Sequence, residues 1–280
     1  MNDEVIRAQL REVAKACVPL VLHREELPAE QRLVCYSGFL VELANKWIWI
    51  TAGHVIDELD AVLGQEPSPS FFFRVPTDPN GPVFFNYTDA KHASFLAVSK
   101  IGMKLRPRPA RRVAEAWQYL AKADIGFAVL TTLYIDNLRA AGAVPFDKDQ
   151  IRHYGEEEVK GIDVGQLGVF LAGIPAESKE ADLTADNPTI SFKELPLHPA
   201  SPDECEPPQC YFEPQWTDDL HEGDVKGMSG GPIVVLGLDK PLVVAVQSAQ
   251  LSVPGRTPRR VIGIESPSVL SLVGELANRE

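Results

Sequence analysis

Gly227-Met228-Ser229-Gly230-Gly231-Pro232-Ile233-Val234-Val235 is the stretch on which the fold turns. Three glycines around one serine let backbone come close to a bound molecule, and they permit a turn that aims N–H groups at a single point. The string also satisfies G-x-S-x-G, the pattern of a serine elbow between a strand and a helix. Two observations exclude the elbow. After Ser229 come Pro232 and three β-branched residues, which read as a strand and not as a helix. The elbow also requires a histidine beyond its serine, whereas His23, His54, His92, His153, His198 and His221 all precede Ser229.

A base for Ser229 must therefore lie upstream. Trp47-Ile48-Trp49-Ile50-Thr51-Ala52-Gly53-His54 places His54 at the end of a buried strand, the kind of rigid support that a base needs. Ala123-Asp124-Ile125-Gly126-Phe127-Ala128-Val129-Leu130 sets one acid at the head of an apolar strand. A part-buried carboxylate there can fix the tautomer of an imidazole. The chain order is His54, Asp124, Ser229. An order with the acid first would need Asp3, the only aspartate before His54.

Around these anchors the texture is that of short strands. Residues 32–41 and 46–52 are apolar and rich in β-branched or aromatic side chains, with Ala44-Asn45 as the turn between them. The pattern continues over 71–75, 83–87, 94–98 and 125–130, and then over 167–172, 189–195, 232–238, 241–251 and 260–264. Helical periodicity is confined to three places. Residues 3–18 carry Ile6, Leu10, Val13 and Cys17 on one face, with Asn2 or Asp3 as cap and Pro19 as stop. A second helix begins near Ala110. A third, 267–278, aligns Val269, Leu272, Val273 and Leu276. The polar stretch 146–163 separates two strand-rich halves, and 176–208 reads as a long surface excursion. Runs of strands without regular alternation with helices predict an all-β fold of two barrels.

Composition narrows the function classes. The 280 residues carry 27 basic and 39 acidic side chains, a net charge of −12. Such a balance repels phosphate backbones and argues against nucleic-acid partners. Forty-five per cent hydrophobic residues, with 24% charged, exclude a disordered chain. No apolar run is long enough for a membrane span, and charges throughout the first fifteen residues exclude a secretion signal. Cys17, Cys35, Cys205 and Cys210 are few for an exported chain, so reduced thiols and a cytoplasmic location are expected. A Cys205–Cys210 disulfide stays open. His198, Cys205 and Cys210 fall short of a zinc ligand set, and no metal or other cofactor is expected.

Taken in order, these motifs resemble those of the trypsin/chymotrypsin-like serine proteases. Thr51-Ala52-Gly53-His54 is similar to the family's T-A-[AG]-H, Ala123-Asp124-Ile125-Gly126 to its D-[IL]-[AG] strand, and Gly227 to Pro232 to G-x-S-G-G-P. Ser37-Gly38-Phe39-Leu40-Val41 looks like the strand before the histidine hairpin, and Gly173-Ile174-Pro175 like the G-[YF]-P of bacterial members, with Ile174 departing from the aromatic. The likeness spans about residues 32–275. It implies two six-stranded antiparallel β-barrels, with the N-terminal helix and linker in 1–30 and the protease domain in 31–280. Barrel 1 would span about 31–145 and barrel 2 about 160–265.

The resemblance implies further that Ser229 is the nucleophile of a serine endopeptidase, His54 its base and Asp124 the acid that orients His54. The backbone N–H groups of Gly227 and Ser229 would form an oxyanion hole. A protease fold serving as a silent binding or scaffold protein is the competing reading. Two departures mark a bacterial, non-zymogen type. Val55 stands where the secreted branch has a disulfide cysteine. Met228 stands where it has the aspartate that pairs with a freed N-terminus. The family's pocket floor falls on Gly223, beside Asp224. Asp224 reads either as a pocket acid favouring Lys or Arg, or as a solvated loop carboxylate. Val246 and Gln247 lie on the strand that resembles the substrate-pairing one. Arg256, Arg259 and Arg260 point instead to acidic substrates. The basic run Lys104, Arg106, Arg108, Arg111 and Arg112 reads as a solvated loop or an anion site. The expected partners are a protein or peptide substrate, with room for a regulatory partner.

Overall fold

The computed structural model describes residues 3–23, 33–63, 70–75, 83–85, 95–97, 123–152, 168–175, 192–200, 208–215, 225, 227–251 and 260–265. The N-terminal half opens with helix α1 (Asp3–Ala16) and strands β1 (Leu20–His23), β2 (Leu33–Tyr36), β3 (Phe39–Leu43) and β4 (Lys46–Ala52). Helix α2 (Gly53–Leu63) follows β4 without a break. Strands β5 (Ser70–Phe73), β6 (Val83–Phe85), β7 (Phe95–Ala97) and β8 (Ile125–Val129), helix α3 (Thr132–Ala140) and the short β9 (Phe146–Asp147) complete this half. The C-terminal half comprises β10 (Gly168–Gly173), β11 (Lys193–Pro199), β12 (Gln209–Pro214), β13 (Pro232–Leu236), β14 (Leu242–Leu251) and β15 (Arg260–Glu265).

The C-terminal half closes into a barrel in the order β10-β11-β12-β15-β14-β13, every neighbour antiparallel. Alternation drives the closure. Along β12 the residues Cys210, Phe212 and Pro214 point inward while Gln209, Tyr211 and Glu213 lie nearer the surface. Phe212 meets Leu171, Leu195, Ile233, Val244 and Val261 in the barrel core. Full closure removes the unpaired edges that an open sheet would leave.

Where a first closed barrel was expected, the described residues of this half form two sheets. One has the order β2-β1-β5-β6, the other β7-β8-β4-β3-β9. They share a core in which Leu20, Leu22 and Phe73 of the first sheet meet Leu40, Trp49 and Ala128 of the second. Trp49 and Phe73 pack edge to face, centroids 5.3 Å apart. The sheet that carries β4 ends in a parallel pair, β3 with β9. A count of strands does not contain that pairing.

Local departures have local causes. The predicted strand 32–41 breaks at Ser37-Gly38, where the Trp49 indole fills the space a Cβ on Gly38 would need. The described part of the predicted strand 189–195 belongs to the strand Lys193–Pro199, so two prolines sit in or at the end of a strand that pairs on both sides. The predicted helices near Ala110 and over 267–278 lie outside the described residues, as do Cys205 and therefore the Cys205–Cys210 pair. Cys17 and Cys210 are buried. No helix among the described residues is long and apolar enough to cross a membrane.

The halves meet through a buried cluster. Phe39, Ile48, Ile50 and Phe127 from the first pack with Ala172, Val234, Val243 and Val246 from the second, and Val13 and Cys17 join from α1 and its end. The same seam carries the residues described next.

Candidate active site

Strand pairing brings His54 and Asp124 together. β4 and β8 run antiparallel with Ala52 opposite Ile125, so the residue before β8 faces the start of α2. Gly53 begins that helix for a steric reason: a Cβ there would lie 2.7 Å from Asp124 Oδ1. In its absence the carboxylate reaches the helix N-terminus and accepts the His54 backbone N–H at 2.8 Å. Those first N–H groups have no partner inside the helix, and the helix dipole favours an anion beside them. Asp124 Oδ2 lies 2.7 Å from His54 Nδ1. With Nδ1–H donated to the carboxylate, Nε2 is left as the acceptor. His54 therefore sits in the first turn of α2, just beyond the strand end that the sequence pointed to.

A third donor completes the carboxylate. Ser248 Oγ–H donates to Asp124 Oδ2 at 2.6 Å, across the seam between the halves. Along β14, Gln247 pairs with Gly263 and Ala249 with Ile262, which leaves Ser248 as the extra residue of a β-bulge. Bulges re-aim a side chain, and this one sends the Ser248 hydroxyl into the seam. Sequence reading passed over Ser248 because a bulge is a property of pairing. The only signal was its place at the end of the run Val244 to Gln247.

These contacts polarise both groups. The hydrogen bond to Asp124 raises the His54 pKa above its ordinary value; burial opposes this, and the charges of Asp124, Glu58 and Asp57 assist it. Burial pushes Asp124 upward, but the hydrogen bonds from His54 and Ser248 outweigh it and hold the carboxyl below the usual range. The two side chains keep 43% and 31% of their surface exposed, so both remain open to solvent.

Ser229 lies on a tight turn packed against the end of β4. Gly227 and Gly230 have φ of 90° and 92°, a region that glycine enters without cost. Gly230 also lacks room: a Cβ would lie 2.5 Å from Ser37 O and 2.8 Å from Ala52 N, both in the first half. The turn is bolted to β14 by Gly230 N–H to Gln247 O at 2.7 Å and Gln247 N–H to Gly231 O at 2.9 Å. Met228 is fully buried in the barrel core. Ser229 Oγ–H donates to Ser248 O at 3.3 Å, and among the described residues it makes no hydrogen bond to His54. Nor do the N–H groups of Gly227 and Ser229 donate to any group among those residues.

Of the other predicted site residues, two lie on β14 beside the serine turn. Val246 and Gln247 are buried; Val246 pairs with Pro232 on one side and Ile264 on the other, and the Gln247 backbone holds the serine turn. Arg260 pairs with Glu213 at 3.3 Å in the barrel wall, which removes it from the expected cationic loop. Gly223, Asp224, Arg256, Arg259 and the run from Lys104 to Arg112 lie outside the described residues. Among the described residues no group of three or more His, Cys, Asp or Glu is placed to hold a metal.

No protein-family model and no curated protein matches the chain. Among solved structures it is similar to a thermostable serine protease from an extremophilic microorganism. The identity is 15%, the TM-score 0.47, and the match covers 95% of this chain and 98% of that one.

Proposed function

We propose that the chain is a serine endopeptidase of chymotrypsin type, acting through His54, Asp124 and Ser229. The observation that carries this reading is the Asp124 carboxylate, held at once by His54 Nδ1, the His54 backbone N–H and the Ser248 hydroxyl. An acid fastened at three points serves to hold one imidazole in one tautomer. Ser229 Oγ attacks the substrate carbonyl carbon while His54 Nε2 takes the hydroxyl proton. The oxyanion is met by the N–H groups of Gly227 and Ser229. Collapse of the tetrahedral adduct breaks the C–N bond, and His54 returns its proton to the departing amine. Water, deprotonated by the same nitrogen, then releases the acid from Ser229.

The strand beside the site supports a peptide substrate. β14 pairs with β13 only as far as Val246, while β15 covers its other edge to Leu251. Among the described residues one edge of β14 past Gln247 is open, and an extended peptide can add there as a strand. One observation favours the second reading, a silent scaffold on this fold: Ser229 Oγ bonds Ser248 O and not His54. Catalytic hydrogen bonds in unliganded enzymes tighten on binding, so reaction decides between the two. Wild type should be labelled by a fluorophosphonate at Ser229 and should cleave extended peptides, which an enzyme restricted to esters would leave intact. Ser229→Ala should lose both reactions, with turnover falling about 10⁶-fold, while its melting temperature stays unchanged. Folded wild type that resists the label would establish the scaffold.

A further inference from the structure

Ser37 is 2% exposed, and its hydroxyl belongs to the first half while both of its partners belong to the second. Its Oγ–H donates to Gly227 O at 3.0 Å, and the same oxygen accepts the Ile174 N–H at 3.0 Å. Its carbonyl accepts Thr51 Oγ1–H at 2.7 Å, which ties Ser37 to β4 just before His54. The same carbonyl lies against Gly230. Ser37 therefore touches the serine turn on both sides of Ser229.

The consequence is geometric. The Gly227–Met228 peptide is held at both polar ends, its C=O by Ser37 and its N–H by Val225 O at 3.1 Å. Gly227 itself has the freest backbone of any residue type. With the peptide after it pinned, Gly227 keeps its place in the turn, so its N–H can leave the substrate only by rotation of the single peptide before it. A hydroxyl suits this place because it donates to a carbonyl and accepts an amide at once.

We propose that Ser37 is a positioning residue that holds the Gly227 N–H where the oxyanion forms. The proposal rests on the serine-hydrolase reading above. It makes the register between the two halves a condition of transition-state stabilisation and not of substrate binding.

The test uses full-length wild type, Ser37→Ala and Ser37→Cys, inactivated by a rhodamine-tagged fluorophosphonate. The cysteine variant keeps the packing but bonds weakly, and it decides the matter if the alanine variant does not fold. Labelling at Ser229 is followed by intact mass. The expected result is an inactivation rate constant lowered roughly tenfold or more, since loss of an oxyanion donor outright costs about 10²–10³. Probe affinity should change less than about twofold, every molecule should still label, and the pH midpoint should not move, because Ser37 touches neither His54 nor Asp124. Wild-type rates in the folded variants would overturn the proposal and leave the serine-hydrolase reading standing. So would a slowing that comes with partial labelling or a shifted midpoint, which is the mark of a merely structural role. Failure of wild type to label would remove the reading and the proposal together.

Discussion

At the scale of the residue, the His54–Asp124 pair sets opposite demands on stability and on activity. His54 has its pKa raised, so its stabilising contribution is complete below the unfolded value of about 6.5 and is lost as pH rises through the folded value. Asp124 has its pKa lowered, so its contribution is complete above about 3.9 and is lost as pH falls through the folded value. The pair therefore stabilises most between about pH 4 and 6.5. The proposed mechanism needs neutral His54, so activity should rise as that stabilisation fades. The expected activity profile is a single rising limb with its midpoint above about 6.5. Asp124→Asn should lower the melting temperature more at pH 5.5 than at pH 8.5. A rate that stays flat between about pH 5 and 8, or a melting difference of the opposite sign, would contradict this account.

At the scale of the element, the hairpin that leads to His54 places an alanine where the turn needs a left-handed backbone. Ala44 and Asn45 have φ of 51° and 62°, between paired Leu43 and Lys46. Both central residues are left-handed, as a two-residue primed turn requires. Alanine there costs about 1–2 kcal/mol, and Asn-Gly is the sequence that suits the turn best. Ala44→Asn with Asn45→Gly should raise the melting temperature by several degrees without changing the rate of any reaction at Ser229. A lower melting temperature would show that the turn conformation is wrongly assigned. The sequence made this turn legible, together with β4, β8 and β13, because each joins a strong apolar run to clear turn residues. It hid β12 because Pro207, Pro208 and Pro214 frame a short alternating run. It hid α2 because the helix starts directly from a strand, under a carboxylate that is distant in sequence. It hid α3 because that helix buries only Tyr134 and Leu138. In the same way motif order singled out His54 and Asp124, which the structure brings within hydrogen-bond reach, whereas the contacts of Ser248 and Ser37 exist only between the packed halves.

At the scale of the whole molecule, α1 ties the second half to the first. Gln9 is buried on the helix, where its Oε1 accepts the Gly237 N–H at 2.7 Å and its Nε2 donates to Leu238 O. That clamps the helix to the turn between β13 and β14. At its other end the chain is held by the first half: Lys15 O accepts the Val144 N–H at 3.1 Å, and Val18 N–H donates to Gly38 O at 3.0 Å. Trp49 Nε1–H also donates to Val18 O at 2.8 Å. The helix thus spans the seam between the half that carries His54 and the half that carries Ser229. Met228 sits beside Ser229 with its side chain in the barrel core. As a buried thioether it offers nothing for a freed amine to pair with. We therefore expect order in the site to depend on an α1 that is attached, not on one that is cut away. Gln9→Leu should keep the apolar packing yet strand the Gly237 N–H, at a cost of about 1–3 kcal/mol. It should lower the melting temperature and slow fluorophosphonate labelling, and removal of residues 2–18 should do both more strongly. The intact chain, verified by mass spectrometry, should label without processing. Labelling that begins only after those residues are removed would reverse the role assigned to the helix.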